Sequence, residues 1–242
     1  AVIGTGNACK TLKNNQDVTV SCAEGDHGFV YAGTLPFEKE LITYEGLPKT
    51  KTKLMLNIAN PYEALRWWRM PADGIGLARI EFIISNNIKI HPMALINIDK
   101  VKSKEARKQI LELTANYTTK EDYFVENLAR DISLIAASQY PKPVIVRFSD
   151  FKTNEYSNLI GGATFEPVED NPMIGWRGAS RYYDENYRDA FALECQAIKY
   201  VREKIGFKNV IVMVPFCRTL GEADAVLKEM KKQRLIPGQN GL

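Results

Sequence analysis

The fold is decided by the stretch Val144-Ile145-Val146-Arg147-Phe148-Ser149-Asp150. Its three β-branched residues in succession predict a strand that is buried on both faces of a parallel sheet. The guanidinium of Arg147 ends this strand, and burying it there is costly unless an anionic group meets it. The stretch therefore predicts a parallel sheet with a charged ligand or partner at its edge.

An arginine at or near the end of such a run occurs twice more. Arg79 follows the apolar residues 74–78, and Arg177 ends the run 171–177. A planar guanidinium binds a carboxylate or a phosphate through two bonds at once. Arg79, Arg147 and Arg177 together therefore predict a binding site for a small, multiply charged anion.

A strand-end arginine can equally belong to a structural ion pair. Arg79 has Glu81 nearby in the sequence, and Arg147 has Asp150 and Glu155. On the residues alone both interpretations stay open. The arginines either bind a substrate or pair with carboxylates at the strand ends.

The bulk composition is that of a globular protein. A chain of 242 residues can hold one large α/β domain or two small ones, and its 45% hydrophobic content is enough for a sizeable core. The net charge of +3 gives no argument for a nucleic-acid partner. The sequence has no apolar run of 18 residues and no signal peptide at its start, so no membrane segment is expected.

The cysteines and histidines predict neither disulfides nor zinc. No C-x-x-C motif is present, so the cysteines are expected to be reduced thiols of a cytoplasmic protein. Only two histidines occur, and neither lies near a cysteine pair, so a zinc site is not expected. No phosphate-binding loop of the G-x-x-x-x-G-K-[ST] type occurs either, and the chain shows no nucleotide site.

From residue 53 onward, apolar runs alternate with amphipathic stretches. Strands are predicted at 53–58, 75–79, 144–148 and 209–214, with a fifth as an open alternative at 173–176. Helices are predicted at 61–69, 104–116 and 184–205, and another begins at Thr219 and Glu222. A further helix has a capping box at Thr118 and Glu121, and its buried face is formed by Phe124, Leu128, Ile132 and Ile135.

Strands separated by helices predict a parallel sheet with right-handed crossovers. Such a sheet is either doubly wound or a (β/α)8 barrel, and functional arginines at strand ends favour the barrel, whose active sites lie on that face. Residues 53–242 supply too few strands to close a barrel, and the last strand lacks the charges and prolines of an exposed edge. The predicted fold class is therefore α/β, with a partial (β/α)8 TIM-type barrel that looks cut rather than finished.

The first 35 residues have a different character. The stretches 18–22 and 29–33 predict two strands of a hairpin around a turn at 24–28. Residues 36–52 are charged, poor in apolar side chains and contain Gly46 and Pro48, so they are interpreted as a linker. The chain is therefore expected to hold a β-rich unit, a linker and the α/β unit.

The residues assembled so far resemble the phosphoenolpyruvate (PEP) synthase family, the pyruvate, water dikinases among the PEP-utilising enzymes. The resemblance covers essentially the whole chain and is carried by the segments 21–31, 74–82, 146–156 and 171–178. It implies that residues 1–35 are the C-terminal part of a swivelling phosphohistidine domain and that 36–52 link the two domains. It also implies that 53–242 are the N-terminal portion of a PEP/pyruvate-binding TIM barrel.

The resemblance implies an activity as well. The family converts ATP, pyruvate and water into PEP, AMP and phosphate through a phosphohistidine. Arg79 and Arg147 are then expected to bind the phosphate and carboxylate end of the substrate, with Arg177 as a third member. Phosphoryl transfer to an enolate depends mainly on positioning and charge neutralisation, which fixed cations supply.

The rest of the family's machinery is expected outside this chain. The phosphohistidine and the ATP-binding domain are expected upstream, and the Mg²⁺ ligands and the proton-donating cysteine downstream. The chain would then hold no catalytic residue and no metal ligand, and alone it is expected to be inactive. The alternatives are a pyruvate phosphate dikinase, an enzyme I-like relative, or a non-catalytic PEP-binding or assembly fragment, whose open sheet edge would allow a homo-oligomer.

Five conspicuous residues are not expected to act on the substrate. His27 lies in a turn rather than in the family's reactive segment, and His91 is interpreted as a loop residue before a proline. Cys217 is expected to be an ordinary thiol. Arg181 and Arg188 are predicted to be solvated or helix-surface charges.

Overall fold

A computed structural model describes residue 2 and residues 4–24, 27–39, 43–44 and 46–239. Contacts divide the chain into two compact units, Ala1–Pro48 and Lys49–Leu242. Parts of the predicted turn at 24–28, of the predicted linker and of the last residues lie outside the described ranges. Within those ranges no helix has both the length and the apolar character that a membrane crossing requires.

The first unit contains a hairpin. Strand β1, Val18–Ser21, pairs antiparallel with β2, Phe29–Ala32, and Val18 faces Ala32 across the pair. A short helix α1, Ala8–Thr11, precedes them. The two strands predicted for this region are therefore confirmed.

The second unit is built on a parallel sheet of four strands. They are β3 (Leu56–Ile58), β4 (Ile75–Arg79), β5 (Val144–Arg147) and β6 (Val210–Met213). Their spatial order is β3-β4-β5-β6, and every neighbouring pair is parallel. This confirms the α/β class and the four predicted strands, while the partial barrel stays a prediction.

The predicted fifth strand at 173–176 is wrong. The residues there form turns and bends rather than a strand. The backbone N–H of Trp176 donates to the Glu169 side chain at 2.9 Å. The Glu169 carboxylate thus accepts a hydrogen bond that a neighbouring strand would otherwise accept.

The centre of the sheet is buried as its β-branched residues predict. Ile75, Val144 and Val146 have no exposed surface, and the register places Arg79 directly beside Arg147. The last strand differs, because Ile211 is 42% exposed although this strand was predicted to be buried. It lies at an edge of the described sheet, where only one face is covered.

Helices surround the sheet. They are α2 (Pro61–Arg66), α3 (Ile80–Ile83), α4 (Pro92–Ile96), α5 (Lys104–Thr114), α6 (Lys120–Gln139), α7 (Thr153–Ser157), α8 (Ala179–Tyr182), α9 (Arg188–Lys199) and α10 (Leu220–Lys232). Helices α3 and α9 continue as π-helical turns, Ile84–Ile88 and Tyr200–Ile205, and two 3₁₀ turns lie at Ile98–Lys100 and Gly162–Thr164.

The longest helix, α6, begins one residue later than predicted. Thr119 accepts a hydrogen bond from the backbone N–H of Asp122 at 3.0 Å, and the Asp122 carboxylate accepts that of Thr119 at 3.0 Å. The capping box is therefore formed by this pair rather than by Thr118 and Glu121. The predicted apolar face is confirmed, since these four residues are buried: Phe124, Leu128, Ile132 and Ile135.

Helix α9 also begins later than predicted, at Arg188 rather than at Asp184. The Asp184 carboxylate accepts the backbone N–H of Asn186 at 2.8 Å, and this side-chain bond forms a turn that competes with helix. At helix α10 the predicted cap is confirmed, because Thr219 accepts the N–H of Glu222 at 3.2 Å.

Candidate functional site

A cleft of about 700 Å³ lies at the carboxyl ends of β4 and β5. Arg79, Arg147 and Arg177 all line it. The first two end neighbouring strands, and the third arrives on the segment between the sheet and α8. The structure thus brings together the three arginines that the sequence singles out.

Arg79 makes no ion pair within the described residues. Its guanidinium lies over the Phe82 ring, 4.5 Å from the centroid, and its buried Nε has no hydrogen-bond partner. The alternative of a structural pair between Arg79 and Glu81 is therefore wrong, because Glu81 pairs with Arg147. A buried donor without an acceptor costs free energy, which an anionic ligand would recover.

Arg147 is held between two carboxylates. One of its terminal nitrogens bonds Glu81, and Nη1 lies 3.1 Å from Oδ2 of Asp150. Burial raises the pKa of Glu81, and the nearby Arg147 opposes that rise. The structural alternative is thus confirmed for Asp150 but not for Glu155, whose partner is Lys152.

Arg177 is fixed by the same aspartate. Its Nε donates to Oδ1 of Asp150 at 2.6 Å and its Nη2 to Oδ2 at 3.2 Å, which is a two-bonded arrangement. Its Nη1 donates to the carbonyl of Met173 at 3.2 Å, and the guanidinium lies 4.4 Å from the centroid of the Phe216 ring. Asp150 therefore ties Arg147 and Arg177 into one unit at the rim of the cleft.

The arrangement can hold a small anion with two charged ends. Positive groups whose orientation is fixed before binding lose little entropy when the ligand arrives. Phe82 and Phe151 provide apolar wall beside the arginines. A charged hydrogen bond at a half-buried group such as the Arg147 guanidinium is stronger than in bulk water.

Sequence reasoning missed a second set of charged residues, which is buried and does not line the cleft. Arg181 is completely buried, and it binds Glu166 through two bonds of 2.6 and 2.8 Å. Its guanidinium lies 3.9 Å from the centroid of Trp176. The prediction that Arg181 is a solvated charge is therefore wrong, whereas Arg188 is exposed as predicted.

His91 belongs to the same buried set. Its Nδ1 accepts the backbone N–H of Met93 at 3.1 Å and so caps α4, and its Nε2 lies 3.0 Å from Glu166. Burial lowers the pKa of His91. His91 lies outside regular secondary structure before Pro92, as predicted, and it is not among the residues that line the cleft. No local sequence pattern predicts the contact between His91 and Glu166, because the two residues are 75 positions apart.

The other residues set aside on sequence grounds are exposed. Cys217 is exposed, and its thiol approaches the carbonyl of Thr219 at 3.6 Å. His27 is exposed in the first unit. No group of three or more His, Cys, Asp or Glu side chains within the described ranges is arranged to hold a metal ion.

The model of a family described as "PEP-utilising enzyme, PEP-binding domain" matches residues 38–237. A Synechocystis protein named phosphoenolpyruvate synthase is 54% identical over 243 residues, which cover 100% of this chain and 30% of that protein. Proteins of the same name from Neisseria meningitidis and Escherichia coli are 50% and 46% identical, with the same shares covered. The chain thus spans about 30% of the length of these curated relatives. Since the family model covers most of the chain, with all three arginines of the cleft inside the matched range, the chain belongs to the family of PEP-utilising enzymes.

Proposed function

We propose that the chain is part of a phosphoenolpyruvate synthase and that its cleft binds pyruvate and PEP. The enzyme would convert ATP, pyruvate and water into PEP, AMP and phosphate. The observation that carries the proposal is the meeting of Arg79, Arg147 and Arg177 in one cleft. The name shared by the relatives favours the synthase over a dikinase or an enzyme I-like protein.

In this proposal each arginine has a separate contribution. Arg79 offers its buried Nε–H, which has no acceptor among the described residues, and it is the first contact for the phosphate or carboxylate group. Arg147 shares this task, because it lies beside Arg79 in the sheet and its own Nε is also without an acceptor. Arg177 completes the positive rim through the orientation that Asp150 gives it. Fixed donors of this kind stabilise charge that develops during phosphoryl transfer.

The remaining machinery is proposed to lie outside this chain. A phosphohistidine and an ATP site would be upstream, and Mg²⁺ ligands and a proton-donating cysteine downstream. The carboxylates of the cleft do not fit a metal site, because Glu81 and Asp150 pair with arginines and Glu155 pairs with Lys152. The isolated chain would then bind substrate without turnover.

Three further parts of the proposal concern the protein as a whole. Residues 1–35 would be the tail of a swivelling phosphohistidine domain, and residues 53–242 the first part of a TIM barrel. Pairing with a second copy through a sheet edge is part of the same proposal. The complete enzyme would work in the cytoplasm.

Binding of PEP to the purified chain tests the proposal. The measurement is isothermal titration calorimetry of PEP into the wild-type chain, the variant Arg79→Met and the control Arg188→Met. We expect Arg79→Met to weaken binding by at least about tenfold, which is about 1.4 kcal/mol. The control should keep the wild-type affinity, since Arg188 is exposed at the start of α9 and does not line the cleft. Equal affinities for all three proteins would contradict the proposed role of Arg79.

A further inference from the structure

Ser149 is the point at which the chain leaves the sheet. The last hydrogen bond of β5 to its neighbour runs from the N–H of Phe148 to the carbonyl of Met213, at 3.0 Å. Beyond it no strand neighbour in the described part of the chain holds the backbone, yet the next residues carry charged groups of the cleft. Ser149 and Asp150 are nonetheless buried, with 1% and 6% of their surface exposed. Something other than the sheet must fix their position.

Side chains from three helices hold Ser149. Its N–H donates to Oε2 of Glu194 at 3.0 Å, and its hydroxyl donates to Oε1 of the same carboxylate at 2.5 Å. Its hydroxyl also lies 2.6 Å from that of Tyr156, and its carbonyl accepts from the Tyr182 hydroxyl at 2.6 Å. All three polar groups of Ser149 are therefore bonded to side chains. We call these four residues the Ser149 clamp.

The clamp is completely enclosed. Glu194 on α9, Tyr156 on α7 and Tyr182 on α8 have no exposed surface. Tyr187 adds a bond from its hydroxyl to Glu194 at 3.3 Å. Burying a carboxylate without a cationic partner is expensive, and an apolar side chain of similar volume would pack at lower cost. A buried polar network of this kind gives orientation rather than stability.

The orientation is passed to the cleft through one peptide bond. Asp150 follows Ser149 directly, and its carboxylate binds both Arg147 and Arg177. A change in the Ser149 backbone would therefore move the carboxylate to which these two arginines are bound. Glu194 itself is not among the residues that line the cleft.

We propose that Glu194 is a positioning residue of the anion site, which fixes Ser149 and through it the Asp150 carboxylate that orients Arg147 and Arg177. The inference rests on the proposed function for its ligand, PEP, but not for its geometry. In metal sites, loss of a residue that orients a ligating side chain typically lowers affinity or activity 10- to 100-fold, and we expect an effect at the lower end of that range here.

Two measurements on the chain test the inference. The first is the PEP affinity by calorimetry. The second is the hydrogen-exchange rate of the Arg177 Nε–H by nuclear magnetic resonance, which reports its bond to Asp150 in the absence of ligand. In Glu194→Ala we expect an affinity about tenfold lower and an exchange rate about tenfold higher. Glu194→Gln keeps the volume and an acceptor for the N–H of Ser149, and it should restore most of both values.

The matched control is Cys195→Ala. Cys195 is the next residue on α9 and equally buried, so its truncation perturbs the same helix. It bonds neither Ser149 nor Asp150, and the control should keep the wild-type affinity and exchange rate. If Glu194→Ala does not fold, Tyr182→Phe removes one bond of the clamp without a cavity, and about a threefold effect on both measurements is expected.

The outcomes separate the inference from the function on which it rests. If the wild-type chain does not bind PEP, the proposed function fails, and the exchange rate of Arg177 still decides the inference. If a folded Glu194→Ala variant, or Tyr182→Phe in its place, shows the wild-type exchange rate, Glu194 does not position the site. An equal effect of Cys195→Ala would also overturn the inference, because the cause would then be general loosening of α9.

Discussion

At the scale of single residues, the three arginines of the cleft have unequal surroundings. Arg147 is bound on both sides by Glu81 and Asp150, whereas Arg79 contacts a ring and makes no ion pair in the described part of the chain. Removing one partner of a buried ion pair leaves the other charge uncompensated. Loss of Arg147 is therefore expected to harm the fold as well as the site, and loss of Arg79 mainly the site.

This difference is open to a stability measurement. Arg147→Met should lower the free energy of unfolding by about 3 kcal/mol, because the buried Glu81 carboxylate loses its cation and Asp150 keeps only Arg177. Arg79→Met loses one cation–π contact and should cost about 1 kcal/mol or less. Urea denaturation of both variants and the wild type gives the two values. Losses of equal size would show that the ion pairs of Arg147 do not stabilise the fold.

Glu194 gives the fold a pH dependence of known sign. Burial raises its pKa from the ordinary value of 4.5 to about 7, and bonds from Ser149 and Tyr187 oppose the rise. The folded state then binds the proton more tightly than the unfolded state does. The contribution to stability is complete below pH 4.5 and is lost as the pH rises through about 7.

The expected size of this loss is on the order of 3 kcal/mol. Glu194→Gln has no titrating carboxyl, so the difference in unfolding free energy between variant and wild type should change by that amount between pH 5 and pH 8. Glu81 is present in both proteins, so its own titration largely cancels in the comparison, although its charge contributes to the raised pKa of Glu194. Urea denaturation at the two pH values gives the four numbers required. A difference that does not vary with pH would contradict a raised pKa at Glu194.

At the scale of elements, buried contacts at both ends hold the segment that precedes α8. Arg181 and Glu166 form a buried, two-bonded pair, and Glu166 also meets His91 next to α4. Arg177 lies on the segment between these anchors and reaches the cleft. The pair therefore holds the loop that delivers the third arginine.

Breaking this pair should be costly. Arg181→Met leaves the Glu166 carboxylate buried without its cation, so we expect the free energy of unfolding to fall by about 3–5 kcal/mol. Replacing both residues by apolar ones of similar volume should recover much of that loss. Chemical denaturation is the measurement, with the exposed Arg188→Met as control, expected within about 0.5 kcal/mol of wild type. A loss no larger than that of the control would refute the role of the pair.

The start of α6 offers a sharper comparison between neighbours. Thr119 caps the helix in the structure, whereas the sequence suggested Thr118. Thr119→Ala should cost about 1 kcal/mol, and Thr118→Ala close to nothing, because only the first removes a hydrogen bond to the backbone. The thermal midpoints of the two variants decide between the residues. If Thr118→Ala were the less stable variant, Thr118 would be the cap, as predicted from the sequence.

The sequence predicts features that depend on neighbouring residues in the chain, and it does not predict features that depend on distant ones. Runs such as 144–146 predict strands because β-branched side chains suit a buried sheet, and parallel strand ends then bring Arg79 and Arg147 together. The burial of Arg181 depends on the rings of Tyr156, Trp176 and Tyr187 and on a carboxylate 15 residues away. Such contacts leave no periodic signal. A predicted helix limit was wrong where a side chain bonds the backbone. The Asp184 carboxylate accepts the N–H of Asn186, and α9 begins only after it.

At the scale of the whole molecule, the chain spans about 30% of the length of its curated relatives. Its three arginines at one cleft are the feature that indicates a chemical function. We propose that the cleft binds the substrate and that residues outside this chain transfer the phosphoryl group. We therefore expect no PEP from ATP and pyruvate with the isolated chain, and turnover with the longest native form of the protein. A coupled assay of PEP formation on both would show this, and turnover by the isolated chain would contradict it.

The crystal structure of the chain with PEP bound tests the central claim most directly. The account predicts density for the ligand in the cleft, with its anionic groups within hydrogen-bonding distance of Arg79 and Arg147 and with Arg177 still bound to Asp150. Ligand bound elsewhere at saturating concentration, with Arg79 making no contact to it, would contradict the assignment of this cleft as the substrate site.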